Sequence, residues 1–189
     1  GSQTSSDGYI QIRFNDDNGG ATFRISMHDG GSDGLNLFSK KKLMDSQWYH
    51  FVMRLEMGNS SANKLRVYMN GDEMEWDTSP SLDYLTGSSL ASTFFTGGTN
   101  GNINIINAAR DGSQSGDHHY AEMYFVDGQD LAASAFAEAD ATTGRWRAKS
   151  ADAVRTAIGN FGNNGYYLSF QDDTSLTTLG RDYKAADRS

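Results

Sequence analysis

Two glutamates one residue apart, Glu73 and Glu75 in the run Asp72-Glu73-Met74-Glu75-Trp76-Asp77, have the types and spacing best suited to chemistry. On an extended chain, residues i and i+2 share a face, so both carboxylates project to one side of a strand. Two carboxylates flanking a glycosidic bond can hydrolyse it, about 5 Å apart for retention and farther apart for inversion. A solvent-facing acidic strand opposite buried Met74 and Trp76 explains the same pattern and is the preferred reading, so no catalytic residue is assigned.

Other chemistries have less support. The sequence contains no nucleophile elbow, phosphate loop or zinc-ligand spacing. His118 and His119 are adjacent, so on a strand their side chains diverge to opposite faces and cannot share a metal; His50 reads as an outward strand residue. Calcium is the one ion the loops suit, because Asp16, Asp17, Asn18, Asp29, Asp33, Asp111 and Asp117 offer hard oxygen ligands, chiefly Asp29, Asp33, Asp111 and Asp117. None has EF-hand spacing, and turn-forming Asp and Asn account for each loop without metal. No other cofactor is expected.

Sugar recognition uses exposed aromatic rings that stack on pyranose faces, with polar groups orienting the hydroxyls. Tyr68, Trp76, Tyr120 and Tyr124 are the candidate ligand-binding residues, although each taken singly is more simply read as packing in a core or across strands. Trp48 and Trp146 are assigned to packing.

The elements that must position these groups are strands. From Tyr49 to Glu56 the chain alternates, with Tyr49, Phe51, Met53 and Leu55 on one face and His50, Val52, Arg54 and Glu56 on the other. Leu65, Val67 and Met69 repeat the pattern after a polar loop. Asn70-Gly71, the pair most tolerant of positive φ, then predicts a type I′ turn into Asp72 to Trp76, which makes an antiparallel meander. Upstream, Ile10, Ile12 and Phe14 and then Phe23, Ile25 and Met27 predict a hairpin, followed by a short strand around Leu35 to Phe38. Downstream, weak signals at Leu82 to Leu85 and Leu90 to Phe95 precede a buried strand at Ile103 to Ala108 and alternation through Ala121 to Val126. Asp130 is placed to cap a short helix over Leu131 to Glu138, and Ala151 to Ile158 is a second helix, broken by Gly159. Tyr166 to Phe170 forms the last strand, and a polar tail runs from 173 to 189.

The 189 residues suit one domain, with 37% hydrophobic and 12% aromatic residues, 21 glycines and the single proline Pro80. A formal charge of -8 and a pI near 4.8 argue against nucleic acid, whose binding depends on clustered Lys and Arg. The one basic run, Lys40-Lys41-Lys42, reads as a solvated strand edge. Without cysteine there is neither a disulfide framework nor a thiolate metal site, which fits assembly in a reducing cytoplasm. No stretch reaches the roughly 20 apolar residues of a membrane helix and no signal peptide opens the chain, so membrane insertion is not expected.

WYHFVMRLE followed by LRVYMNGDE resembles concanavalin A-like, laminin G-like jelly-roll domains, whose central hairpin commonly reads Trp-Tyr-His-hydrophobic and then Tyr-hydrophobic-Asn-Gly. HYAEMYFVDGQDLAASAFAEADATTGRW and NFGNNGYYLSFQDD further resemble the version found in tailed-phage and environmental-virus structural proteins. There the pattern is roughly YxAExxFIDGQALxPSxFGExDxxTGxW, then YGxNGFYLxF. The resemblance runs from about Leu37 to Asp173. It implies an all-β antiparallel jelly-roll β-sandwich with one or two short helices between Asp130 and Ile158. Related glucanases carry a Glu-x-Asp-x-x-Glu strand motif, and here its order and third acid are missing.

The implied function is a non-enzymatic structural module of a phage-like virion, a capsid decoration, fibre or tail component that adheres to host surface glycans. It would be assembled in the host cytoplasm, exposed on the particle and partnered by other virion subunits, including copies of itself. A soluble or secreted lectin and a glycan hydrolase are the alternatives. Relatives usually carry further strands before Tyr9 and a longer continuation after the last strand. A neighbouring chain, or another part of a larger protein, is therefore expected to cover one sheet edge.

Overall fold

The computed structural model describes residues 9–16, 21–28, 35–56, 64–78 and 119–184. The architecture is an antiparallel all-β sandwich with a few short helices, as the sequence predicts. Its strands are β1 (Tyr9–Asp16), β2 (Ala21–His28), β3 (Asn36–Leu43), β4 (Phe51–Leu55), β5 (Leu65–Met69), β6 (Asp72–Glu73), β7 (Met123–Phe125), β8 (Ala137–Ala139), β9 (Trp146–Ala148) and β10 (Tyr166–Leu168). Among the described residues the helices are α1 (Ala151–Ile158) and α2 (Leu176–Leu179), with a 3-10 turn at Ala133–Ala135. The chain divides into two compact units, one of residues 1–103 with 137–148 and one of residues 104–136 with 149–189.

In the first unit the sheets β1-β2-β3 and β4-β5-β6 share one core. Phe23, Ile25, Leu35, Leu37 and Leu43 come from the first sheet side, and Leu65, Val67, Met69 and Met74 from the second. Phe23 stacks on Phe51 across the sandwich, with ring centroids 4.5 Å apart and planes at 12°, which adds specific geometry to the area the rings bury. Ile12, expected inward, is 46% exposed. Three strands of eight residues are backed by two strands of five, and β1 lies outermost in its sheet, so part of its inner face has no cover.

The register of β2 on β3 shifts between Thr22 and Arg24, where Ser39 to Lys41 bulge opposite Phe23. A bulge leaves backbone donors without ladder partners. Ser39, buried to 4% exposure, meets this need: its hydroxyl accepts from Phe23 N at 3.1 Å and donates to Lys41 O at 2.8 Å. The lysines of the basic run are exposed, as predicted, but this edge of β3 is paired. Lys40 N donates to Glu75 O and Asp77 N to Phe38 O, each at 2.9 Å.

The second sheet follows the predicted meander. Phe51 pairs with Met69 and Leu55 with Leu65, and Asn70 and Gly71 take φ of 52° and 89°, the left-handed pair of a type I′ turn. Strand β6 is short, because the chain crosses from it to the edge of β3, where Trp76 bridges Ser39.

The helix predicted over Leu131 to Glu138 does not form. Its N-terminal flank is Ala132 rather than Asp130, no side chain caps it, and only one 3-10 turn is made. Residues Ala137–Ala139 are instead a strand of the first unit, paired with Trp146–Ala148. Alanine-rich sequence suits a helix locally, but the Glu138–Arg147 ion pair at 2.7 Å and the complete burial of Ala137 favour the hairpin. Asp140 closes its turn, accepting through Oδ1 from the backbone N–H groups of Thr142 (3.1 Å) and Thr143 (2.8 Å) and from the Thr143 hydroxyl (3.0 Å).

In the second unit β7 pairs with β10, and α1 buries Val154 and Ile158 against Phe161 and Tyr167. Helix α1 spans the predicted residues, capped by the Ser150 hydroxyl and ended by Gly159 at φ 66°. The last strand stops at Leu168, two residues earlier than predicted, and Phe170 turns with φ 54°. Within the stretch read as a polar tail, α2 forms on a Ser175–Thr178 capping box and Asp182 bridges Leu168.

Candidate functional site

The outward face of the β4-β5-β6 sheet gathers a cluster of charged and aromatic groups. Arg54 and Arg66 are direct cross-strand partners, a like-charge juxtaposition that a bare sheet disfavours. Tyr68 and Glu73 relieve it. Both guanidiniums lie against the Tyr68 ring, at 5.8 and 5.5 Å from its centroid, and Arg54 Nη1 donates to the Tyr68 hydroxyl at 3.3 Å. Arg66 makes a two-pronged contact with Glu73, Nε to Oε1 at 2.9 Å and Nη2 to Oε2. The Arg66 hydrogen bond holds the Glu73 carboxyl below its ordinary range, although burial opposes it.

At one end of this face, Trp146 of β9 closes over the Asn70-Gly71 turn. Its Nε1–H donates to His50 Nδ1 at 3.2 Å, and a β-carbon placed on Gly71 would lie 2.7 Å from Cζ3 of the indole. The His50 backbone is fixed to the same turn, its N–H donating to Asn70 Oδ1 and its carbonyl accepting from Asn70 N, both at 2.8 Å. Burial lowers the His50 pKa from 6.5. His50 faces outward as the alternation predicted, yet it is half-buried because Trp146 covers it, in keeping with the packing role assigned to that indole.

The paired glutamates engage different cations. Glu73 belongs to β6 and binds Arg66, whereas Glu75 has crossed to the edge of β3 and binds Lys40 Nζ at 3.5 Å. They border an open cleft of about 430 Å³ with Lys40, Lys41, Met69, Asp72 and Met74. A general acid needs a raised carboxyl pKa, and that of Glu73 is lowered.

The sugar-stacking candidates divide between the two units. Tyr68 lies on the outward face between two arginines, while Trp76 packs against the core, 6.4 Å from Phe23. In the second unit Tyr120 is 42% exposed. Tyr124 is half-buried and stacks on Tyr167 at 4.4 Å. The Glu122 carboxylate accepts from both phenols, at 3.1 Å from Tyr124 and 3.2 Å from Tyr167. Burial, reinforced by these partners, raises the Tyr124 phenol well above its ordinary range.

Trp48, assigned to packing from the sequence, is 68% exposed, and Met44 at the start of the same turn is 67% exposed. The reason is local. Tyr49 points into the core and its hydroxyl accepts from Met44 N at 2.8 Å, so the neighbouring residue in an extended chain must face solvent. Ser46, at φ 59°, completes the turn. The same alternation that placed Tyr49 inward was the signal for Trp48.

The calcium candidates Asp29, Asp33, Asp111 and Asp117 lie outside the described residues, as does His118. Among the described residues no group of three His, Cys, Asp or Glu could hold a metal, and no helix is long and apolar enough to cross a membrane.

The family model of the concanavalin A-like lectin/glucanases superfamily matches residues 1–114, more than half of the 189-residue chain and all of the two-sheet core. The block from Tyr120 to Trp146 lies beyond the matched residues. No curated protein and no solved structure matches the chain.

Proposed function

We propose a non-enzymatic recognition role for this chain, which belongs to the concanavalin A-like lectin/glucanase superfamily. It serves as a structural module on the surface of a phage-like virion, a capsid decoration, fibre or tail component, and adheres to host surface glycans. The observation that carries the reading is the exposed Trp48, which follows a turn held by the Tyr49 hydroxyl and offers an aromatic face suited to a pyranose ring. Engagement of Glu73 by Arg66 and of Glu75 by Lys40 supports binding over hydrolysis.

The virion setting rests on the resemblance of the Tyr120 to Trp146 block to phage structural proteins. It implies other virion subunits and further copies of the chain as partners, assembly in the host cytoplasm, and no catalytic cofactor. Calcium in the aspartate loops is retained as an optional structural ion. Immunogold electron microscopy of particles with an antibody to the chain tests the setting. Surface labelling is expected, whereas recovery only as free, glycan-binding monomer favours the lectin reading.

A further inference from the structure

We propose that the Trp146–His50 hydrogen bond is an acid-sensitive latch, which holds the β8–β9 hairpin on the outward face of the second sheet and releases it when His50 takes up a proton. The indole nitrogen can only donate, and a neutral imidazole has one acceptor nitrogen. With Nδ1 accepting from Trp146, the ring proton sits on Nε2. A second proton must go to Nδ1, where its N–H then opposes the indole N–H. The bond is lost and two donors face each other in a half-buried site.

The two rings meet over one turn: the His50 backbone is fastened through its N–H and carbonyl to Asn70, and the indole lies directly against Gly71. The hairpin face that carries Trp146 also carries Ala137, Ala139 and Ala148 by strand alternation, and it presents no titratable group. Glu138 and Arg147 occupy the opposite face and pair with each other.

Among the described residues, the charged and titratable groups on the sheet face that carries His50 are Arg54 and Glu56 on the β4 side, Lys64, Arg66 and Tyr68 on the β5 side, and Glu73 from β6. Glu73 is already engaged by Arg66 and Glu56 stands six residues along the strand, about 20 Å from His50, so neither is placed to stabilise an imidazolium. Burial lowers the histidine's titration, which places the release on the acid side of 6.5.

The test is NMR of the full ¹⁵N-labelled chain from about pH 7.5 to about pH 5, the range in which histidine changes charge. The probes are the Trp146 indole N–H and the Gly71 α-protons, which lie in the ring current of the indole. Both are expected to move with the midpoint of the His50 ring signals, and protection of the indole proton is expected to fall roughly tenfold. His50→Gln keeps an acceptor that does not titrate and should abolish the step. Trp146→Phe should show the released Gly71 shift at every pH. The latch is overturned if Gly71 and Trp146 signals stay fixed while His50 titrates, or if the step persists in His50→Gln. The wild-type titration decides the matter by itself should a variant fail to fold.

Discussion

Trp146 lies so close over Gly71 that a methyl group on that glycine would meet three indole carbons at 2.7 to 2.9 Å. The contact joins two stretches 75 positions apart in sequence, the tight turn of the central meander and the β8–β9 hairpin. Only glycine allows it, because the position also needs a φ of 89°.

Gly71→Ala should therefore destabilise the first unit by about 1–3 kcal/mol, through left-handed strain and displacement of the indole. Thermal unfolding followed by tryptophan fluorescence is the measurement, with the emission of Trp146 shifted toward that of an exposed indole. An unchanged melting temperature would remove the hairpin from the account of this face.

A pair of glycines fixes the other unit. A β-carbon on Gly162 would lie 2.3 Å from the Asp127 carbonyl oxygen, and one on Gly165 would lie 2.0 Å from that of Phe161. Backbone cannot yield as a side-chain tip can. Gly165→Ala should cost about 3 kcal/mol or more, read as lost near-ultraviolet circular dichroism from the Tyr124–Tyr167 stack.

Acid should loosen the β8–β9 turn. The threonine donors hold the Asp140 carboxyl below its ordinary 3.8, so its contribution to stability is complete above that pH. As pH falls below 3.8 and through the depressed folded value, the unfolded state binds more protons and the contribution is lost. Asp140→Asn should flatten this part of the acid unfolding curve, measured by circular dichroism.

Glu73→Gln removes one partner of an ion pair whose side chains are 41% and 46% exposed, so it should cost only about 0.2–1 kcal/mol in chemical denaturation. A much larger loss would mean that the carboxylate balances the opposed Arg54 and Arg66 more strongly than an exposed pair can.

Legibility in the sequence followed the locality of each signal. The Asn70-Gly71 turn, the strands beside it and α1 with its Gly159 stop are set by neighbours in sequence and were read, while the equally local Ser150 cap was passed over. The hairpin at Ala137 was misread because AASAFAEA suits a helix until Arg147, nine residues on, pairs with Glu138. The different partners of Glu73 and Glu75 were hidden because Glu75 meets Lys40 only where the chain pairs with the edge of β3. Of the site, the outward sharing of His50 and Arg54 was visible, but their partners Trp146 and Arg66 come from other strands. The exposure of Trp48 was implicit in the inward Tyr49 and overruled by the habit of burying tryptophan.

The most direct test is to expose the chain to immobilised host-surface polysaccharide and to measure retention and release of reducing ends together. The account predicts retention without cleavage, abolished by Trp48→Ala, with stability changed by no more than about 0.5 kcal/mol. Steady release of reducing ends that disappears in Glu73→Gln or Glu75→Gln would contradict it and make the chain a hydrolase.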